Sequence, residues 1–166
     1  MISFDLEGGR FNYRIVGVAM SKNRVLIHQE LGEQFWTLPG GRCEILENAR
    51  ETLARETVEE LGVESEVGDL LWIVENYFNR EGKRWHELAL YFSISFPEGH
   101  EIHDRSGPFK GVEEGTDLTF QWVPREELSE WNLVPEFLKD RLTNLPTVTE
   151  HLVWTDSEER VIRRDV

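Results

Sequence analysis

GRCEILENARETLARETVEELGV, residues 41–63, is the stretch on which the reading of this chain turns. Over residues 46–61 its apolar positions recur with helical spacing, and Gly62 is a natural stop. On a wheel of about 100° per residue with Glu56 at zero, Glu60 falls at about 40° and Glu59 at about 300°, so roughly a third of the circumference carries all of these carboxylates. Ala49 falls at about 20°, Leu53 at about 60° and Leu61 at about 140°. Glu60 therefore stands between apolar positions and not in the middle of a solvated face. Like charges four residues apart repel by a few tenths of a kcal/mol even when exposed, and burial without a partner costs considerably more. A hard divalent cation relieves both, because carboxylate oxygens are its preferred ligands. The bland alternative is a solvated acidic helix, with Glu51 and Arg55 in the favourable i,i+4 order and Glu47 and Glu51 suited to the helix N-terminus.

Taken whole, the segment resembles the Nudix hydrolase signature: Gly, five residues, Glu, seven residues, Arg-Glu, an apolar residue, any residue, Glu-Glu, any residue, Gly and an apolar residue. Gly41, Glu47, Arg55, Glu56, Glu59, Glu60, Gly62 and Val63 stand at that spacing. Thr57 is the departure, standing where an aliphatic residue is usual, and its methyl group makes this a small packing change. From average residue frequencies, such identities at fixed spacing arise by chance in roughly one chain in ten thousand or fewer. The likeness reaches further. Trp36-Thr37-Leu38-Pro39-Gly40-Gly41 is similar to the approach to the Nudix loop, and Gln121-Trp122-Val123-Pro124 with Glu126-Glu127-Leu128 resembles the last core strand and the helix after it. About residues 12–142 can be laid onto the fold; the resemblance does not place the first ten residues or the tail, 145–166. The resemblance implies an α/β fold of the α+β kind, an α/β/α sandwich with a mixed β-sheet between helices, in one domain over residues 1–166.

It also implies a function: a metal-dependent hydrolase that cleaves the phosphoanhydride bond of a nucleoside-diphosphate-linked substrate by attack of water on phosphorus, with Mg2+ or Mn2+ as cofactor. Glu56 and Glu60 are the expected ligands, Glu59 a third, and the Gly40 carbonyl a backbone ligand, because glycine lets the main chain approach closely. Glu47, at about 180° on the wheel, and Arg55 are expected to fix the loop and orient the ligands. The general base is Glu56 or Glu59, or a downstream acid such as Glu87, Glu101, Glu113 or Glu114. A second reading is a catalytically silent Nudix-fold nucleotide-binding or sensor module. Such proteins usually lack one of the helix carboxylates, and here all are present. A third, an isomerase of isoprenoid diphosphates, needs a catalytic cysteine, and the lone Cys43 sits inside the signature loop. Nucleoside triphosphates, ADP-ribose, dinucleoside polyphosphates and nucleotide sugars all remain as substrates.

Outside the signature, residues 13–20 and 24–29 read as a strand pair about the turn Ser21-Lys22-Asn23, and residues 35–38 as a short extended piece. Residues 67–78 and 87–96 read as strands joined through Arg80-Glu81-Gly82-Lys83. Residues 97–117 look like a long loop, where substrate discrimination is expected. A strand over 118–123, short helices over 124–128 and 134–142, and an edge strand over 151–154 complete the chain. Arg14, Arg24 and Lys83 are candidate phosphate ligands, and Trp36, Tyr77, Phe78 and Trp85 candidate stacking partners for a base, Trp36 being better placed under the loop. The histidines His28, His86, His100, His103 and His151 form no recognisable ligand spacing.

Composition narrows the rest. The 166 residues suit one core. A net charge of −14, from 32 acids against 18 bases, argues against coating long nucleic acid or docking on anionic membranes, and leaves a small phosphorylated substrate whose charge a cation can neutralise. One cysteine rules out an intramolecular disulfide and a thiolate zinc site. Neither a secretory leader nor an apolar run of about 18 residues is present, so a cytoplasmic location is expected. The resemblance is compatible with a homodimer, though no exposed apolar helix demands one.

Overall fold

The structure is a computed structural model that describes residues 1–155 and 158–161, the last four by backbone alone. Its strands are β1 (Ser3–Leu6), β2 (Gly9–Ser21), β3 (Arg24–Glu30), β4 (Gly40–Arg42), β5 (Glu66–Arg80), β6 (Lys83–Ser95), β7 (Phe109–Lys110), β8 (Leu118–Pro124), β9 (Glu150–Thr155) and β10 (Glu158–Val161). Its α-helices are α1 (Ala49–Leu61) and α2 (Leu138–Arg141). The strand order is β10-β9-β5-β6-β2-β3-β8-β7, with β1 and β4 also paired to β2. β6 runs parallel to β2 and β9 parallel to β5, whereas β5 with β6, β2 with β4 and β3 with β8 are antiparallel. The sheet is mixed, as expected.

Alternation along β2 divides the core between the two faces of this sheet. Ile15 and Ala19 join Leu26, Leu53, Phe92, Ile94 and Phe120 under α1. Val16 and Val18 point the other way, to Leu128, Leu133, Leu138 and Leu142 from the segment after β8. On the α1 face, between Ile15 and Ala19, Gly17 lets α1 lie close: a Cβ there would stand 2.7 Å from Ile94 Cδ1 and 3.3 Å from Leu53 Cδ1. Leu53 is fully buried, which stabilises the fold by roughly 1.5–3 kcal/mol and fixes the face that α1 turns to the sheet.

Several expectations shift in detail. The helix expected from residue 46 begins at Ala49, because Asn48 is its N-cap. The Asn48 side chain accepts from the Arg50 and Glu51 amides, and the Asn48 amide donates in turn to the Glu51 carboxylate. Such a capping box contributes about 1 kcal/mol and outweighs any continuation toward the N-terminus. Leu46 has φ 70°, outside any helix. At the other end Gly62, at φ 69°, stops α1 as expected. The piece expected over 35–38 makes only isolated bridges, and regular pairing resumes at β4. The first short helix is a 3-10 turn over Arg125–Glu130, and of the second only α2 is α-helical. The hairpin between β5 and β6 turns through Glu81 and Gly82, both at positive φ. Within residues 97–117 the structure adds a 3-10 turn, Glu101–Asp104, and β7. The strand expected at 151–154 is β9; β10 lies outside it, so β9 is not the edge. The remainder of the tail, 156–157 and 162–166, lies outside the described residues.

Candidate active site

Three segments meet over the N-terminal half of β2. β4 lies beside it, with Gly40 opposite Val16 and Gly41 opposite Ile15. A Cβ on Gly40, whose φ is 132°, would come 2.2 Å from the Ile15 carbonyl oxygen, so only glycine permits this approach. A Cβ on Gly41 would stand 2.1 Å from the carboxyl carbon of Glu56. The glycine pair thus brings bare backbone to the glutamate face of α1.

Glu60 is buried, as the wheel suggests. Its Oε2 has no hydrogen-bond partner, and Oε1 lies 3.9 Å from His28 Nδ1. Burial pushes the Glu60 carboxyl up to about 8; Glu56 and Glu113 add to the shift, while Arg14 and the Gly40 amide oppose it. Burial also raises Glu56, against the bonds it receives from Arg55. The His28 imidazole goes the other way, to about 3, through burial and the Arg14 charge. It is therefore neutral at pH 7.

Arg55 ties the remaining acids together. Its Nε and Nη2 donate to Glu47 at 2.9 and 3.0 Å, and its Nη1 donates to Glu56 at 2.8 Å and to Glu59 at 2.9 Å. Arg55 holds Glu47 down at about 2. Because Glu47 precedes the helix, its wheel position does not apply; the loop carries it back to Arg55 and to the Thr52 hydroxyl, 2.8 Å away. The Glu51–Arg55 pairing of the bland reading is not used: Glu51 serves the cap instead. Among the described residues no three carboxylate, imidazole or thiolate groups converge closely enough to encage a cation, since Glu56 and Glu59 lean toward Arg55. A divalent ion nevertheless fits the chemistry, because a partnerless buried carboxylate oxygen beside two further acids is a hard-cation donor set.

The downstream acids separate cleanly. Glu113 is near enough for its charge to act on Glu60. Its loop is anchored to the helix end, where the Val112 amide donates to the Glu60 carbonyl at 2.8 Å. A Cβ on Gly111 would stand 2.8 Å from that same oxygen. Glu101 is exposed and paired with Arg105, and Glu114 is exposed. Glu87 is buried and accepts from Asn12 at 2.7 Å.

Of the candidate cations, Arg14 alone reaches the acidic cluster, where its charge acts on both Glu56 and Glu60. Arg24 donates to the His103 and Arg105 carbonyls, and Lys83 pairs with Asp5. Trp36 packs edge-on against Trp131. Tyr77 and Trp85 line a cleft of about 480 Å³ with Phe4, Arg10, Phe11 and His86, and Phe78 stacks on Trp85. The Cys43 thiol is buried against the Glu44 and Glu47 carbonyls. Sequence reasoning missed His28. Its signal was the alternation of β3, which sends Leu26 and His28 to the same side, under α1.

The NUDIX domain model matches residues 11–142. Over 84 residues, half of this chain, the sequence is 27% identical to the candidate ADP-ribose pyrophosphatase YjhB of Bacillus subtilis. Over 97 residues, 58% of the chain, it is 31% identical to the candidate mutator protein MutT4 of Mycobacterium tuberculosis. The chain spans only 40% and 36% of the lengths of these two relatives. A NUDIX hydrolase from Nitrosomonas europaea superposes with TM-score 0.59 at 14% identity, covering 93% of each chain. The MutT protein from Bacillus halodurans superposes with TM-score 0.58 at 21% identity, covering 89% of this chain and 94% of its own. These two structures share the fold. With the family model spanning β3 to β8, α1 and the glycine pair alike, the chain belongs to the Nudix family.

Proposed function

We propose that this chain is a divalent-cation-dependent pyrophosphohydrolase that cleaves a phosphoanhydride bond in a small nucleoside-diphosphate-linked substrate. The observation that carries the reading is the Glu60 Oε2 atom, buried without a partner beside Glu56. A buried carboxylate held this way is costly, and the fold tolerates it where a cation completes the site.

Glu56, Glu59 and Glu60, with the backbone of Gly40, are the residues that would hold Mg2+ or Mn2+. Such an ion supplies an acidified water and neutralises phosphate oxygens. Arg55 restrains Glu56 and Glu59, and Glu47 restrains Arg55; these two position the ligands. Arg14 offers its guanidinium to the substrate diphosphate next to the acidic cluster. Glu56, whose carboxyl burial makes more basic, accepts the proton of the attacking water. The name of one relative, a candidate ADP-ribose pyrophosphatase, is consistent with this bond type.

The test is release of phosphate or nucleotide from a panel of nucleoside triphosphates, ADP-ribose, dinucleoside polyphosphates and nucleotide sugars with magnesium, with manganese and with EDTA. Turnover that needs the metal and is lost in Glu60→Gln supports the reading. A folded protein that binds magnesium yet turns over nothing in the panel overturns it in favour of a silent binding module.

A further inference from the structure

Among the described residues four buried side-chain polar atoms have no hydrogen-bond partner, and two of them belong to neighbouring side chains: His28 Nδ1 and Glu60 Oε2. Both side chains are more than nine-tenths buried, and Nδ1 lies 3.9 Å from the other Glu60 oxygen, Oε1. That is about 1 Å beyond an ordinary N–H···O bond. An unpaired buried donor or acceptor carries its full desolvation cost, so the pair as it stands is incomplete. Neither backbone is free to move away. His28 pairs across β3 with Phe120 of β8. On its other side the His28 amide donates to the Thr37 carbonyl at 2.8 Å, and the Thr37 amide donates back at 2.9 Å. The imidazole lies against the Phe120 ring, with centroids 5.3 Å apart. Glu60 stands in the last turn of α1, where its carbonyl takes the Val112 amide at 2.8 Å. Thr37 is three residues before Gly40, so the bridge that pins His28 also leads into the glycine pair.

The two Glu60 oxygens are thus unequal: Oε1 faces an imidazole nitrogen, and Oε2 has no partner. We propose that His28 is a positioning residue for the cation site: its Nδ1–H group donates to Glu60 Oε1, sets the plane of the carboxylate and so leaves Oε2 to the cation. Carboxylates that hold metals are commonly oriented by such a second bond. A neutral donor suits the task. A guanidinium in its place would pair with the charge that is to attract the cation, as Arg55 pairs with Glu56 and Glu59. The imidazole, neutral at pH 7, orients the oxygen and leaves the charge in place. Donation from Nδ1 also fixes the tautomer, since a neutral ring carries its proton on one nitrogen only. The inference rests on the pyrophosphohydrolase reading for the cation, but the hydrogen bond can be read without metal or turnover.

The experiment reads the bond first and the cation second. The His28 tautomer is determined by 15N NMR of histidine-labelled protein in EDTA above pH 8, where the Glu60 carboxyl is ionised; His28→Asn identifies the signals by their loss. The expected result is the Nδ1–H tautomer, with an Nδ1 shift that moves in Glu60→Gln. The Nε2–H tautomer, or a shift indifferent to Glu60→Gln, overturns the bond. In the second arm, Mn2+ affinity is measured by EPR of the free ion in the wild-type chain, His28→Phe and His28→Asn. Phenylalanine keeps a ring against Phe120 and removes the donor, whereas asparagine sets an amide nitrogen close to the place of Nδ1. His28→Phe should bind Mn2+ about tenfold or more weakly while melting no lower than the wild type in EDTA, and His28→Asn should recover most of the affinity. A role in packing alone would instead tie affinity to Tm and give no rescue. Equal losses in the two variants, or a nitrogen bound directly to Mn2+ in pulsed EPR, overturn the positioning role. Mn2+ affinity indifferent to His28, with metal-dependent turnover intact, overturns the inference and leaves the hydrolase standing. Mn2+ affinity that depends on His28 in a protein without turnover does the reverse.

Discussion

Gly41 and Glu56 occupy one another's space: a methyl group on the first would stand 2.1 Å from the carboxyl carbon of the second. The backbone at Gly41 is not in the left-handed region. Gly41→Ala therefore acts by displacing the Glu56 carboxylate and not by straining the chain. The expected outcome is a protein that melts near the wild-type temperature with kcat/KM lowered about a hundredfold, the scale of a misplacement of about 1 Å. Circular dichroism and steady-state kinetics on the same preparation check it. Wild-type activity would show that the position of Glu56 does not matter.

Glu60 gives a stability signature with a definite sign. Its folded-state carboxyl, at about 8, lies above the ordinary 4.5, so the folded protein binds this proton more tightly than the unfolded chain does. The stabilising contribution is complete below about pH 4.5 and is lost as pH rises to about 8. In EDTA, calorimetric melting of the wild type relative to Glu60→Gln should therefore worsen between these limits. At pH 8 the glutamine variant should be the more stable, and magnesium should raise the wild-type Tm selectively. Parallel pH curves for the two proteins would remove Glu60 as a buried acid.

Glu47 acts in the opposite pH range and at one remove from the ligands. Arg55 holds it at about 2, so its contribution is present above the ordinary carboxylate pKa and fades as pH falls through about 4.5 to about 2. Glu47→Gln loosens Arg55, and through it Glu56 and Glu59. Activity or magnesium affinity should drop about 10- to 100-fold, as for other groups that orient metal ligands. The loss at Glu60→Gln should be the larger of the two; equal losses would place Glu47 at the metal itself.

The loop acids can be ranked by single substitutions. The Glu113 charge acts on Glu60, whereas Glu101 is committed to Arg105 at the surface. Glu113→Gln is expected to lower kcat about tenfold and Glu101→Gln to leave it within about twofold, general acid–base contributions being typically larger than either. A pH–rate profile for each variant separates a change in chemistry from one in binding. The reverse ranking would move the loop's contribution away from α1.

Thr57, where the family signature prefers an aliphatic residue, has a partner that only the fold discloses. Its fully buried hydroxyl bonds Ser65 at 2.9 Å and the Ala54 carbonyl at 3.1 Å. Thr57→Val should cost about 1 kcal/mol by stranding Ser65, and Thr57→Val with Ser65→Ala should recover part of that loss. Urea denaturation of the two single variants and the double variant gives the coupling directly; strict additivity would deny the bond any energy.

What the sequence disclosed was whatever local spacing encodes. The glutamate face of α1, its glycine stop, the alternating strands and the Glu81-Gly82 hairpin are set within a few residues of one another, and they stand where expected. The helix start was equally local, written as Asn48 with Glu51 three residues on, and was overrun by following apolar periodicity back to Leu46. Long-range meetings were another matter. His28 reaches Glu60 from β3, and Arg14 reaches Arg42 from β2; neither spacing carries a signal until the sheet is folded. The parallel pairing of β9 with β5 was hidden for the same reason.

The Glu60 carbonyl, which receives the Val112 amide at the end of α1, gives the loop over residues 97–117 a fixed datum. Gly111 has no room to change beside that oxygen, whereas Gly115 faces open space. Insertions and exchanges in the loop are thus partitioned: the tip at Gly115 has room to change, while 111 and 112 must keep register with α1. The tip of the loop can therefore be rewritten without renegotiating where that loop is fastened.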